Sequence, residues 1–106
     1  MHEIFSEEAM ANETNLKDLL KDPSLLVTQG YSAGEWVDGE DGATFEVMNP
    51  ARGDIIAKVA DLSRAQTAQA IAAAEAAQKE WAAKTAKERA NILRRWYDLM
   101  MENADD

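Results

Sequence analysis

No cysteine occurs anywhere in the 106 residues. This excludes disulfides, thiolate metal ligands and a thiol nucleophile from this stretch of chain. Histidine is nearly as scarce: the one copy, His2, has no second ligand at metal spacing and is assigned no role. Positive charge is also short, with 11 Lys and Arg against 20 Asp and Glu and a net charge of -9. Residues 1–62 hold 13 acids and 4 bases, whereas residues 63–106 hold 7 of each. Phosphate-backbone binding needs clustered cations that release counterions, so nucleic acid is not an expected partner. No run approaches the roughly 18 apolar residues of a membrane span, so a membrane is not expected either. The first residues, Met1 to Phe5, lack a basic region followed by an apolar segment, which points away from a secretory signal and towards the cytoplasm.

Only two prolines and five glycines are present, a globular composition rather than a disordered or collagenous one. Hydrophobic residues make up 46%, but 20 of them are alanines, so the larger apolar side chains must supply most of any core. The length suits one small domain. Residues 1–24 read as a loose acidic leader in which Leu16, Leu19 and Leu20 form a short helical cluster before Asp22-Pro23. Met10, followed by Ala11 and Asn12, offers an alternative translation start. Residues 25–106 carry the organised elements.

The pattern predicts an α/β arrangement: a β-hairpin, a third short strand and two antiparallel α-helices. Tyr31 to Val37 reads as the first strand and Thr44 to Met48 as the second, joined through Asp38-Gly39-Glu40-Asp41-Gly42. Asn49 to Asp54 is a further turn, and Ile55 to Val59 is the third strand. Ser63 with Gln66, and Thr85 with Glu88, form capping boxes that open helices over about 64–80 and 86–102. The first helix has alanine on two faces, which suits close approach from both sides. In the second, Ile92, Leu93, Trp96, Leu99 and Met100 form a core-facing stripe that Tyr97 and Met101 widen. Trp96 is expected against the alanine face of the first helix, and the arc is wider than that one helix can cover.

Nothing in this pattern assembles an active site. Asp38, Glu40 and Asp41 lack the spacing of a calcium loop and read as a solvated turn. Gly34, Gly39 and Gly42 precede no helix and do not cradle phosphate. Arg94 and Arg95 turn away from Trp96 and share their side with Asp98 and Glu102. Arg89 falls on the apolar stripe, where it either snorkels at the first turn or meets a carboxylate, Glu75 or one outside this stretch.

Gly34-Glu35-Trp36-Val37-Asp38, then Thr44-Phe45-Glu46-Val47-Met48-Asn49-Pro50-Ala51-Arg52-Gly53-Asp54-Ile55-Ile56, resembles the opening of an aldehyde dehydrogenase, whose hairpin reads G-x-W and then V-x-N-P-A-T/N-G. Ala72-Ala73-Ala74 before Trp81, and Glu88-Arg89-Ala90-Asn91-Ile92-Leu93-Arg94-Arg95, continue the match in order. Thr85-Ala86-Lys87-Glu88-Arg89 leading to Arg95-Trp96-Tyr97-Asp98-Leu99-Met100-Met101-Glu102 is most similar to the bacterial succinate-semialdehyde dehydrogenase branch. Arg52 stands where Thr or Asn is usual, and Ser32-Ala33 replaces Ile-Asn.

The resemblance implies the N-terminal fragment of a fold whose complete members oxidise aldehydes to acids with NAD or NADP, through a cysteine nucleophile and a glutamate base. It covers residues 16–106, within the first part of the family's cofactor domain. The catalytic and cofactor-contacting residues of the family lie beyond that part. It therefore implies no catalytic, cofactor-binding or metal residue in this chain and no cofactor held by the chain alone. In some relatives, main-chain carbonyls before the Asn-Pro turn help hold a monovalent cation; they correspond to Val47 and Met48, without the rest of that site. The implied partner is the remainder of a dehydrogenase subunit or a homo-oligomer. The alternative is a small acidic binding module that docks through its second helix.

Overall fold

The computed structural model describes residues 15–106. It contains four short strands and two helices: β1 (Gly30–Ser32), β2 (Glu35–Val37), β3 (Thr44–Met48), β4 (Ile55–Ala60), α1 (Arg64–Ala83) and α2 (Ala86–Glu102). Single 3-10 turns at Leu16–Leu19 and Pro23–Leu25 precede them. Each turn is opened by a short acceptor. The Asn15 side chain accepts from the Lys17 N–H at 3.2 Å, and Asp22 accepts from the Ser24 N–H at 3.1 Å and the Ser24 hydroxyl at 2.6 Å.

The strand pairing differs from the expected hairpin. Tyr31–Val37 is not one strand: it folds back on itself at Ala33-Gly34, so that Tyr31 stands opposite Trp36. Ala33 and Gly34 both take left-handed backbone, with φ of 52° and 80°, which is what a two-residue turn matching the strand twist requires. The Tyr31 and Trp36 rings close this hairpin edge to face, 4.8 Å between centroids. Thr44–Met48 pairs instead with Ile55–Ala60, from Thr44 opposite Ala60 to Met48 opposite Ile55, with a bulge between Val47 and Met48. The local turn wins because it satisfies its own backbone. Asn49 N–H donates to the Asp54 carbonyl at 2.8 Å, Gly53 N–H returns to the Asn49 carbonyl at 2.7 Å, and the Asn49 side chain takes the Ala51 N–H at 2.9 Å. The two hairpins are separate sheets: Ala60 N–H donates to the Thr28 carbonyl, just before β1, while Asp61 N–H donates to the Ala43 carbonyl and extends the β3–β4 ladder, both at 2.8 Å.

Both capping boxes form as the spacing predicts. Gln66 N–H donates to Ser63 Oγ at 3.1 Å and Glu88 N–H to Thr85 Oγ1 at 3.1 Å, while each N3 side chain accepts from its cap N–H. Gln66 does more than close its box. Its Oε1 also accepts from Glu40 N–H at 3.1 Å, and its Nε2 donates to the Asp38 carbonyl at 2.8 Å. The Asp38–Gly42 segment is thereby pinned to the start of α1, and this is why it does not serve as a hairpin loop. Gly39 is buried there, and a β-carbon at that position would overlap the Asp61 and Ala43 carbonyls.

Among the described residues no apolar side chain is buried. The Cα radius of gyration is 18.7 Å, against about 13 Å for a compact domain of this length. The two helices are joined through Lys84-Thr85 but do not pack face to face. Trp96 is 62% exposed instead of lying on the alanine face of α1. The physical reason is that alanine presents too little side chain to hold a tryptophan against it without a further layer behind.

Three outcomes follow. Gln66→Glu keeps the acceptor of the capping box but removes the N–H donor and sets a carboxylate against the Asp38 carbonyl; a loss of about 1 kcal/mol in urea unfolding is expected, while Thr85→Ala, which removes the other cap, lowers helicity by far-UV dichroism. The isolated chain is expected to melt broadly and to bind an apolar-surface dye, as a chain without a closed core does.

Candidate functional site

The α2 helix carries a run of exposed large apolar side chains. Its seven-residue stretches place Ile92, Leu93, Trp96, Leu99 and Met100 along one side with Tyr97 and Met101 on the shoulder, and each is at least 41% exposed. The opposite side is closed by ion pairs, Arg94 with Asp98 at 3.6 Å and Arg95 with Glu102 at 3.8 Å. Arg94 also lies over the Tyr97 ring at 5.1 Å. These contacts use up the basic pair, in keeping with its reading as a solvated face.

Among the described residues Arg89 meets neither Glu75 nor another carboxylate. Its Nη1 donates to the Ala82 carbonyl at 3.4 Å, one of the last-turn carbonyls of α1 that lack an intrahelical donor. A cation beside a helix C-terminus is also favoured by the peptide dipoles. The residue costly on an apolar stripe thus becomes a tie across the Lys84-Thr85 corner.

The remaining residues singled out in the sequence take structural places. The Asp38 carboxylate accepts from Gln29 Nε2 at 3.0 Å, while its carbonyl and the Glu40 N–H serve Gln66. Asp54 is 4% exposed and lies 3.8 Å from Arg52 Nε across the β3–β4 turn. Val47 and Met48 flank the bulge at the end of β3. His2 and Met10 lie outside the described residues. Among the described residues no group of three or more His, Cys, Asp or Glu is placed to hold a metal ion. Sequence reasoning missed the second and third contacts of Gln66; a glutamine where a glutamate would close the box equally well was the available signal.

Two hairpins followed by two capped helices form an α/β piece, and the same arrangement occurs at the corresponding place in much longer chains. The crystal structure of succinate-semialdehyde dehydrogenase from Burkholderia pseudomallei superposes with a TM-score of 0.77 at 54% identity, over 82% of this chain and 18% of that one. Residues 36–106 match the sequence profile of the aldehyde dehydrogenase family. The chain belongs to the aldehyde dehydrogenase family. It is 54% identical over 87 residues to glutarate-semialdehyde dehydrogenase of Pseudomonas aeruginosa and 46% identical over 87 residues to the NADP(+) succinate-semialdehyde dehydrogenase of Escherichia coli. Each alignment covers 82% of this chain, and the chain spans 18% of the length of these relatives.

Because Trp96 is largely exposed, Trp96→Ala in the isolated chain is expected to cost less than about 1 kcal/mol, well under the 3–5 kcal/mol of a core tryptophan. Chemical denaturation of the two forms side by side measures the difference.

Proposed function

We propose that this chain is a truncated N-terminal piece of a succinate-semialdehyde dehydrogenase and is catalytically inactive by itself. The observation that carries the reading is a similarity that runs through 82% of this chain yet only 18% of its relatives. Residues 25–106 are then an incomplete part of the cofactor-binding domain, preceded by the acidic leader of residues 1–24. The succinate reading is supported by the Burkholderia and Escherichia relatives; the Pseudomonas relative acts by its name on the next longer semialdehyde of the same kind.

No residue of this chain takes a catalytic, cofactor-binding or metal role. The sequence has no cysteine to add to an aldehyde carbonyl, so no covalent thiohemiacetal forms on it. Its residues do not fit a dinucleotide either. The glycine-rich stretches sit in the Ala33-Gly34 turn and in the Asp38–Gly42 segment, neither of which leads directly into an α-helix whose N–H groups would meet a pyrophosphate. NAD or NADP belongs to the complete subunit, whose remainder, or whose homo-oligomer, is the partner, in the cytoplasm.

A second reading is favoured by one observation, the uncovered apolar side of α2. It makes the chain a small acidic binding module that docks through that helix, for instance on a dehydrogenase subunit. The sequence of the gene beyond the codon for Asp106 separates the two: coding sequence that continues the match with a cysteine motif supports the fragment, and an unrelated region supports the module.

The purified chain is expected to give no succinate-semialdehyde-dependent absorbance increase at the reduced-nicotinamide band with NAD or NADP. Turnover that persists after host dehydrogenases are removed refutes the inactive fragment.

A further inference from the structure

The open mouth of the helix pair is bridged by the segment that precedes the strands. The Asp106 carboxylate accepts from two consecutive backbone N–H groups, Lys21 to Oδ1 at 2.9 Å and Asp22 to Oδ2 at 3.1 Å. A carboxylate held by two N–H donors at once is a charge-assisted, orientation-specific contact. The neighbouring ion pair, Lys21 Nζ to Asp105 Oδ2 at 3.3 Å, has side chains 77% and 87% exposed and contributes little. Beneath the clasp, Leu16, Leu19, Leu20, Leu25 and Leu26 line an open cavity of about 560 Å³ together with Asp105 and Asp106.

We propose that residues 15–28 act as a strap that sets the angle between α1 and α2, with Asp106 as the positioning residue that fastens it. One end of the strap is the clasp at Lys21 and Asp22. The other is the Thr28 carbonyl, which accepts the Ala60 N–H at the end of β4, just before α1. The 20 residues of α1 and 17 of α2 are arms of about 30 and 26 Å. The chain from Lys21 to Thr28 reaches no more than about 25 Å when fully extended. The far end of α2 is therefore kept within that reach of the sheet from which α1 departs. No face-to-face helix packing fixes this angle, and the corner is held by Lys84-Thr85 and the single Arg89 to Ala82 hydrogen bond, so the strap is the element that limits opening at the far ends of the helices. It thereby fixes how the apolar side of α2 is presented.

The absence of cysteine lets a single labelled pair report the angle. Ala68→Cys near the start of α1 and Met101→Cys near the end of α2, both exposed, are spin-labelled in the full chain, and the distance distribution is measured alongside amide exchange at Lys21 and Asp22. In the parent, a shorter and narrower distance distribution than in Asp106→Ala is expected, with exchange at both amides slowed relative to that variant. Asp106→Ala is expected to broaden and lengthen the distance and to speed both amides by at least about tenfold, the effect of losing hydrogen bonds to a charged group. Lys21→Ala, which keeps the backbone N–H, is expected to leave both readouts unchanged. Far-UV dichroism checks that the helices survive; if Asp106→Ala loses them, exchange in the parent decides. Fast exchange at the two amides in the parent, or an unchanged distance in helical Asp106→Ala, overturns the proposal.

Discussion

The carboxamide of Gln66 is the contact on which the arrangement of this chain depends. An N-cap box needs only an acceptor at its third position, and a glutamate supplies that as well as a glutamine. The amide group adds a donor, and with it the side chain reaches the Asp38 carbonyl while its oxygen is shared between Ser63 and Glu40 N–H. One side chain thus starts α1, fixes the turn after β2, and sets where β3 begins. With Gly39 wedged between the Asp61 and Ala43 carbonyls, the same turn is locked against the end of β4. The two hairpins and the first helix are joined by polar groups more than by apolar contact.

That balance follows from the surface that the chain leaves uncovered. A helix stripe carrying tryptophan, tyrosine, leucine, isoleucine and methionine forfeits roughly 25 cal/mol for each Å² left in water. The alanines of α1 give it little to pack on, and no apolar residue among those described is buried. Local devices hold the shape instead: two capping boxes, the Asn49 turn, the Arg89 tie at the helix corner and the Asp106 clasp across its mouth.

The family membership and this surface are consistent with one another. Relatives more than four times as long have ample chain to cover both helices, and the chain spans 18% of their length. In the proposed reading its chemistry is bounded in the same way, because the thiolate step that the resemblance implies has no cysteine in this stretch.

What the sequence determined by itself were the features whose physics is local. Ser63 with Gln66 and Thr85 with Glu88 placed both helix starts, because a cap and its third-position partner lie within one turn of each other. The β-branched and aromatic run from Thr44 to Met48 appeared as a strand with its predicted bounds. The motif order from Gly34 to Glu102 pointed to the family, and the absence of cysteine left no thiol in this stretch. Only the tertiary structure decided which strands pair, since the Ala33-Gly34 reversal and the Asn49 turn compete with any longer hairpin through backbone geometry that residue types only hint at. It alone gave Arg89 a carbonyl instead of a carboxylate, left Trp96 in solvent, and brought Asp106 to Lys21 across 85 residues of chain. Such contacts depend on where remote segments meet in space, and helical or strand periodicity carries no information about that distance.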